Sequence, residues 1–89
     1  MINYDKIYPT LDLHGEIREF APMVINEFVK DNYDAGYNKI CIIHGISGGV
    51  MRQCTYETLK KNKMVKAYHS DYVNSGMTIV ELKEKRWTN

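Results

Sequence analysis

Two short segments of this chain, LDLHG at residues 11–15 and IIHG at residues 42–45, each end an apolar run with the dipeptide His-Gly. The two histidines are thirty positions apart, at 14 and 44. A strand, a crossover helix and a second parallel strand take roughly 30 residues, and such units are almost always right-handed. Both His-Gly pairs are therefore predicted to leave a parallel sheet at its carboxyl edge, where open α/β sheets bind their ligands.

The residues between the two segments are predicted to form that crossover helix. Residues 11–14 alternate apolar and polar side chains, which is typical of a half-buried strand. Apolar residues then recur at helical spacing over about residues 19–35, with Pro22 in the first turn and Gly36 at the C-terminal end. Residues 39–44 are almost wholly apolar, as expected of a central strand that is covered on both faces.

The second half of the chain predicts one more helix and a hairpin. Helical spacing resumes over residues 50–62, where four side chains share one face: Met51, Cys54, Thr55 and Leu59. Residues 65–72 and 77–82 are rich in β-branched and aromatic side chains and flank a turn-forming segment, which indicates a hairpin. The predicted order is thus β-α-β-α-β-β. Because two helices can cover one face of the sheet, we expect an α/β fold with two layers, a two-layer sandwich.

Length and composition indicate one folded domain. The chain has 89 residues, of which 44% are hydrophobic and 26% charged, the balance of a globular protein. We expect a single domain over residues 1–89, with its core at about residues 10–82, an N-terminal arm at 1–9 and a C-terminal tail at 83–89 that contains Trp87. No apolar run is long enough for a membrane span and the first residues lack a signal-peptide pattern, so a cytoplasmic protein without membrane contact is predicted.

The cysteines and the charge distribution narrow the possible chemistry. Cys41 and Cys54 form no Cys-x-x-Cys pair, and we expect both to be core thiols in a reducing compartment. The first 44 residues carry four basic and seven acidic side chains, a formal charge of −3, whereas the other 45 carry eight basic and four acidic, a charge of +4. The lysine-rich segments 60–66 and 83–86 can attract phosphate or can be solvated surface only.

The segment after the second His-Gly pair is rich in glycine and leads directly into the second predicted helix. Its glycines, Gly45, Gly48 and Gly49, leave main-chain N–H groups near the positive end of that helix's dipole. Arg52 in the first turn can add a bidentate contact to a phosphate. The segment lacks the Gly-Lys-Ser/Thr of a P-loop and the G-x-G-x-x-G spacing of a Rossmann fold, so no nucleotide cofactor is predicted.

Three motifs, in order and at fitting spacings, resemble the small MutS-related, or Smr, domain family over about residues 10–82. LDLHG at 11–15 is identical to the family's LDLHG signature. HGISGGVMR at 44–52 is similar to the family's HGKGTGxLR, and GMTIVEL at 76–82 resembles the family's GATVVEL. The positions of the second motif that match are His44, Gly45, Gly49 and Arg52.

This resemblance implies a fold like the C-terminal domain of bacterial translation initiation factor three, with a mixed four-stranded sheet and two helices. It also implies nucleic-acid binding, often with endonuclease activity on DNA or on RNA. Two positions of the second motif depart from the family: Ile46 stands where a lysine is usual, and Ser47 where a glycine is usual. The loop thereby loses one positive charge and some backbone freedom.

The residues at the predicted edge can supply each group that phosphodiester cleavage needs: a base, an acid, and positive charge or N–H donors for the phosphate. Asp12 and His14 are two apart on one strand, so we predict that they share a side and act as the catalytic pair. The predicted nucleic-acid-binding residues are His44, Gly45, Gly48, Gly49 and Arg52. A structural alternative applies to three of these residues, because Asp12 can bond neighbouring backbone and both histidines can cap their turns.

Two functions follow from these residues. The first is a DNA-nicking or RNA-cleaving endonuclease, in which Asp12 and His14 transfer protons or activate water. The alternative is a non-catalytic module that binds structured or branched nucleic acid. The ligand spacing predicts no resident metal site, although Mg²⁺ or Mn²⁺ can assist such a nuclease. The choice between DNA and RNA and the oligomeric state stay open at this point.

Overall fold

The computed structural model describes residues 8–46 and 49–85, and its elements follow the predicted order. Most of the predicted arm (residues 1–7), Gly48 and the end of the tail with Trp87 lie outside the described residues. The elements are β1 (Thr10–Asp12), α1 (Ala21–Asp34), β2 (Lys39–Ile43), α2 (Val50–Lys61), β3 (Val65–Ser70) and β4 (Met77–Leu82).

The four strands form one mixed sheet in the order β1-β2-β4-β3. β1 and β2 are parallel, with Asp12 opposite Ile43, whereas β4 is antiparallel to both of its neighbours. β1, β2 and β3 therefore end at the same edge of the sheet, which we call the carboxyl edge, and the opposite edge is the amino edge. Both His-Gly pairs follow strands that end at the carboxyl edge, as predicted.

Both helices pack on one face of the sheet, which confirms the α/β fold with two layers. Their buried side chains meet those of the strands in one core, whose fully buried members include Ile25 of α1, Leu59 of α2 and Ile40 of β2. Burial of one such side chain contributes about 1.5–3 kcal/mol relative to its exposure, so this core is the main source of stability. Within the described residues, neither helix has the length and apolar character needed to cross a membrane.

The central strand β2 is buried on both faces, as its apolar sequence predicted. On the face away from the helices, Cys41 packs with Met77 and Ile79 in a second, smaller cluster. Tyr8 and Ile43 pack against this cluster, so the first residue of the arm that the structure describes contributes to the fold. Cys41 and Cys54 are both buried thiols, in agreement with the prediction that they are core residues.

Helix α1 begins two residues later than its apolar pattern suggested, and Pro22 explains the difference. An α-helix that began earlier would need an N–H of residue 22 to donate to the carbonyl of Arg18, and proline has none. Ala21 N–H donates to that carbonyl instead, in a single 3-10 turn over Arg18–Phe20. At the other end the helix closes at Ala35, and Gly36 follows with φ of 89°, a conformation that favours glycine.

Strand β1 ends at Asp12, two residues earlier than predicted, because a side chain replaces the strand's hydrogen bonds. Oδ1 of Asp12 accepts the main-chain N–H of His14 at 2.8 Å, and the carbonyl of Leu13 accepts the N–H of Glu16 at 3.0 Å. These two bonds turn the chain away from the sheet directly after Leu13, whose side chain is the last of this segment to enter the core.

Strand β3 also ends two residues earlier than predicted, at Ser70, and an aspartate follows it directly. Oδ2 of the buried Asp71 accepts the N–H groups of Val73 and Asn74, at 3.1 Å and 2.8 Å. The turn that follows, residues 71–76, joins β3 to β4 at the carboxyl edge and is called the hairpin loop below. It ends at Gly76, whose N–H donates to Oδ1 of Asn74 at 2.9 Å.

Gly76 connects the hairpin loop to the second His-Gly pair. Its carbonyl accepts the N–H groups of both His44 and Gly45, at 2.9 Å and 3.0 Å. A Cβ at this position would lie 3.1 Å from Oδ1 of Asn74, 3.1 Å from Cγ2 of Ile46 and 3.3 Å from the main-chain carbon of Gly45. An added Cβ would therefore fit tightly, and the neighbouring atoms would have to move by a few tenths of an ångström.

We expect Gly76→Ala to destabilise the protein by about 1–3 kcal/mol, because the added methyl group pushes the hairpin loop away from Gly45. The urea midpoint of unfolding measures the effect. Ser75→Ala changes the exposed neighbouring residue and serves as the control, with a midpoint close to wild type. Equal midpoints for the two variants would show that the contact at Gly76 is not tight.

Candidate functional site

The two His-Gly pairs form similar turns side by side at the carboxyl edge. Gly15 and Gly45 have φ of 80° and 82°, in the left-handed region that favours glycine, which explains why glycine follows each histidine. The N–H of Leu13 donates to the carbonyl of Ile43 at 2.8 Å and holds the two turns next to each other. A Cβ on either glycine would meet nothing within 4 Å, so the space above both turns is open.

The first turn presents a carboxylate and an imidazole at the surface. The side chains of Asp12 and His14 are both exposed. The Asp12 carboxylate accepts the main-chain N–H of His14, and no hydrogen bond joins it to the imidazole. Asp12 therefore fixes the turn that carries His14, which is the structural alternative considered for this residue. Its other carboxylate oxygen is not used by this bond.

The second histidine has a different environment. His44 is only 8% exposed, and its Nδ1 lies 2.9 Å from the carbonyl oxygen of Gly45. Its Nε2 lies 2.7 Å from Oγ1 of Thr78. A carbonyl oxygen only accepts, so Nδ1 carries a proton; in the neutral imidazole Nε2 then accepts the Thr78 hydroxyl. Burial lowers the pKa of His44 below its usual value, and the nearby charge of Arg52 acts in the same direction.

The structure therefore places both histidines at the predicted edge but gives them different surroundings. The His44 ring packs edge-on against Tyr56 of α2, with ring centroids 6.1 Å apart and planes at 83°, so it lies toward the helical layer. Both of its ring nitrogens already have protein partners. That His14 and His44 border one cleft stays a prediction, as does the phosphate contact predicted for His44.

The sequence did not predict the two polar side chains that contact the His44 ring, Thr78 and Tyr56. Thr78 bonds the imidazole, and Tyr56 shares a hydrogen bond of 2.6 Å with Ser70 while its ring lies 5.3 Å from that of Tyr68. Thr78 could have been found from the pattern of β4, where it is the polar member of the set 78, 80 and 82 that faces the helices. Tyr56 follows Arg52 by four residues, so helical spacing places both on one side of α2.

The helix that follows the second turn begins without a side-chain cap. Gly49 is its N-cap residue, with φ of 73°, and offers no side chain to accept the first N–H groups. Arg52 is the third residue of α2. Its Nε is buried and has no hydrogen-bond partner among the residues that the structure describes. A helix N-terminus and a guanidinium both favour an anion, so this part of the edge suits a phosphate. Gly48, predicted to take part, lies outside the described residues.

The lysine-rich segments lie away from this site. Helix α2 ends at Lys61 and β3 begins at Val65, so the cluster at 60–66 is at the amino edge. Lys83 and Lys85 follow the end of β4 at the same edge, and Nζ of Lys85 donates to the carbonyl of Asp34 at 3.0 Å. The described lysines of these two segments are thus separated from the carboxyl edge by the length of the sheet.

The described residues do not offer a resident metal site. Across residues 8–46 and 49–85, no group of three or more His, Cys, Asp or Glu side chains comes together closely enough to hold an ion. Asp12 and His14 supply two such groups, and the neighbouring His44 uses both ring nitrogens elsewhere.

Comparison with known proteins relates this arrangement to a family. The family model for the Smr domain matches residues 11–83. Endonuclease MutS2 of Geobacillus sp. (strain WCH70) is 42% identical over 76 residues, which cover 82% of this chain and 10% of that protein. Endonuclease MutS2 of Aquifex aeolicus (strain VF5) is 36% identical over 77 residues, which cover 83% of this chain and 10% of that protein. The chain spans about a tenth of the length of these curated relatives.

Two crystal structures share the fold. The Smr domain of Thermus thermophilus MutS2 superposes with a TM-score of 0.81 at 23% identity, covering 84% of this chain and 98% of that one. YdaL, a stand-alone small MutS-related protein from Escherichia coli, gives a TM-score of 0.81 at 22% identity, covering 86% of this chain and 68% of that one. Because the family model extends over residues 11–83 of the 89, this chain belongs to the Smr domain family.

Proposed function

We propose that this Smr domain binds nucleic acid at the carboxyl edge of its sheet and cleaves a phosphodiester bond there. The observation that carries the proposal is the exposed pair Asp12 and His14, held by the bond between Leu13 and Ile43 beside the segment that leads to Arg52. The relatives named Endonuclease MutS2 support the same class of reaction. The substrate is DNA that is nicked or RNA that is cut.

His14 is the proposed proton-transfer group. An exposed imidazole exchanges protons readily near neutral pH, and no bond to Asp12 occupies its ring. In the reaction, His14 takes the proton of the attacking hydroxyl as the new P–O bond forms. The P–O bond to the leaving oxygen then breaks, and the imidazolium returns a proton to that oxygen. Asp12 has a second proposed role in addition to its bond to the turn, because the carboxylate oxygen that this bond leaves unused can activate the attacking group or transfer a proton.

Arg52 and the main-chain N–H groups of Gly48 and Gly49 are the proposed phosphate ligands. Gly45 was predicted to be a third ligand, but its N–H already donates to the carbonyl of Gly76 at 3.0 Å. Arg52 lies in the first turn of α2, and its half-buried guanidinium can make a bidentate contact to a phosphate. His44 has a different proposed role, because both of its ring nitrogens have protein partners. It is a positioning residue that holds the Gly45 turn, and through it the loop that approaches the phosphate.

Two further expectations belong to this proposal. The glycine-rich segment lacks the residue order of a nucleotide-binding loop, so the cleavage needs no nucleotide cofactor. The two buried thiols, Cys41 and Cys54, fit a reducing compartment, and we propose the cytoplasm as the place of action.

A non-catalytic binding module is the second candidate, and one observation favours it. Ile46, which stands where the family usually has lysine, is 66% exposed, so the loop lacks a cation that would neutralise the developing charge at the phosphate. In this case the same edge recognises structured or branched nucleic acid and leaves it intact.

We expect His14→Ala to lower cleavage by roughly 10²–10⁴-fold while affinity stays nearly unchanged, because the variant removes the proton-transfer group and no permanent charge. Asp12→Asn keeps an oxygen that accepts the His14 N–H, so it should melt like wild type and cut about 10²-fold more slowly. The assay uses end-labelled supercoiled DNA, single-stranded RNA and branched DNA, with and without Mg²⁺ or Mn²⁺.

The same assay separates the two candidate functions. A stable Asp12→Asn variant that cuts as fast as wild type would remove the carboxylate from the chemistry. Wild-type protein that binds these substrates and cuts none of them would favour the binding module.

Arg52→Ala should weaken nucleic-acid binding about equally for different sequences and should reduce the salt dependence of binding by about one phosphate contact. Fluorescence anisotropy at several salt concentrations measures both effects. Arg52→Lys keeps the charge and serves as the matched control, with a salt dependence close to wild type. If Arg52→Ala has the wild-type salt dependence, Arg52 is not at the interface.

His44 should make the stability of the fold depend on pH. Its pKa in the folded protein lies below the ordinary value of 6.5, so the unfolded chain binds more protons between the two values. The stabilisation is therefore complete above pH 6.5 and is lost as the pH falls through the folded pKa.

We expect the urea midpoint of wild type to fall more between about pH 7.5 and about pH 5.5 than that of His44→Gln, which cannot be protonated. His14→Gln changes an exposed histidine and should retain the wild-type decrease. An equal decrease in wild type and His44→Gln would show that the buried imidazole does not control this dependence.

A further inference from the structure

The hairpin loop carries an aromatic side chain that the fold itself does not use. Tyr72 is 95% exposed and Val73 is 89% exposed, which makes them the most exposed large apolar side chains described. Ile46, beside the same loop, is 66% exposed. A tyrosine ring held almost wholly in solvent contributes little to folding, because it buries almost no apolar area. Its place at the carboxyl edge suggests a role in binding.

The loop holds Tyr72 in a fixed position. Immediately before it, the buried Asp71 accepts the N–H groups of Val73 and Asn74 through one carboxylate oxygen. The N–H of Asp71 in turn donates to the carbonyl of Met77 at 3.0 Å, at the start of β4. Tyr72 thus lies on a turn that is bonded on both sides, so little backbone freedom is lost when a ligand contacts it.

One neighbour of Tyr72 is itself a flat ring. The rings of His69 and Tyr72 lie 5.7 Å apart with planes at 32°, a tilted stack at the surface. Nδ1 of His69 is 3.0 Å from the carbonyl oxygen of Ser70, which fixes the imidazole. Because Tyr72 remains 95% exposed in this arrangement, most of its ring surface is available to a second flat group.

The positions of the positively charged side chains indicate what kind of contact a nucleic acid makes at the carboxyl edge. Ile46 replaces the cation that is usual in the family, and the lysine-rich segments lie at the amino edge. Among the described residues, a nucleic-acid strand at the carboxyl edge therefore meets Arg52 and the exposed Arg18 of the 3-10 turn after β1, and we infer that a contact without charge adds to its affinity. Base stacking on an aromatic side chain provides such affinity without a charge, and it requires a base that is not paired in a duplex.

We propose that Tyr72, supported by His69, stacks an unpaired nucleobase, and that the substrate at the carboxyl edge is therefore single-stranded where it contacts the hairpin loop. This inference rests on the proposed nucleic-acid binding and names the form of nucleic acid bound. β1 and β3 are three strand spacings apart, about 14 Å. The stacked base and the phosphate near His14 hence belong to different nucleotides of one strand.

The test measures binding of a labelled single-stranded oligonucleotide, and of the same strand paired with its complement, by fluorescence anisotropy. Tyr72→Ala should weaken single-strand binding roughly 5- to 100-fold and change duplex binding less than about two-fold. Tyr72→Phe keeps the ring and should bind like wild type. Tyr37→Ala, at a 53% exposed tyrosine near the amino edge, is the matched control and should have no effect.

A second series replaces single nucleotides of the strand by abasic ones. At the position that stacks, the abasic nucleotide should cause the same loss as Tyr72→Ala, and the two changes together should cause no further loss. The exposure of Tyr72 predicts wild-type melting for the variant, which circular dichroism checks.

Two results would overturn the inference in distinguishable ways. Wild-type protein that binds neither strand form would reject the proposed function and the stacking role with it. Wild-type binding that Tyr72→Ala leaves unchanged, or weakens equally for single strand and duplex, would reject the stacking role alone.

Discussion

The buried bond between His44 and Thr78 is the contact on which the carboxyl edge depends. It joins the end of β2 to the second residue of β4, and the carbonyl of Gly76 adds two main-chain bonds beside it. Only a neutral imidazole can donate to the Gly45 carbonyl and accept from the Thr78 hydroxyl at once. The loop toward α2 and the hairpin loop meet at this point, so the side-chain bond and the two main-chain bonds together fix their relative position.

The position of each strand in the sheet explains why the same dipeptide has two different environments. β2 lies between β1 and β4, so the residue after it is enclosed by β4 on one side and by α2 above. β1 has three residues and is the first strand in the order of the described sheet, and among the described residues no strand lies on the outer side of His14. His44 is therefore enclosed and bonded, whereas His14 is exposed and suited to chemistry. The glycines that follow them, Gly15 and Gly45, adopt the same left-handed backbone conformation.

Local patterns in the sequence predicted the order of elements, the parallel pair β1 and β2, and the bounds of β4, because these depend on periodicity within short segments. The early ends of β1 and β3 depend on single aspartate side chains that bond the backbone two or three residues on, which periodicity does not report. The burial of His44 depends on Thr78, 34 residues away in sequence. Such a contact exists only after the sheet has formed, so no local pattern reveals it.

The lysines at the amino edge are too far from the carboxyl edge to attract a phosphate bound there. β2 has five residues, so the two edges of the sheet are about 16 Å apart at about 3.3 Å per residue. At physiological ionic strength the screening length is about 8 Å, and the field of Lys61 or Lys66 has largely decayed at the carboxyl edge. The lysines can attract a different stretch of nucleic acid to the amino edge. A phosphate beside His14 must instead be held by groups in direct contact with the strand, which are Arg52, main-chain N–H groups and stacked rings.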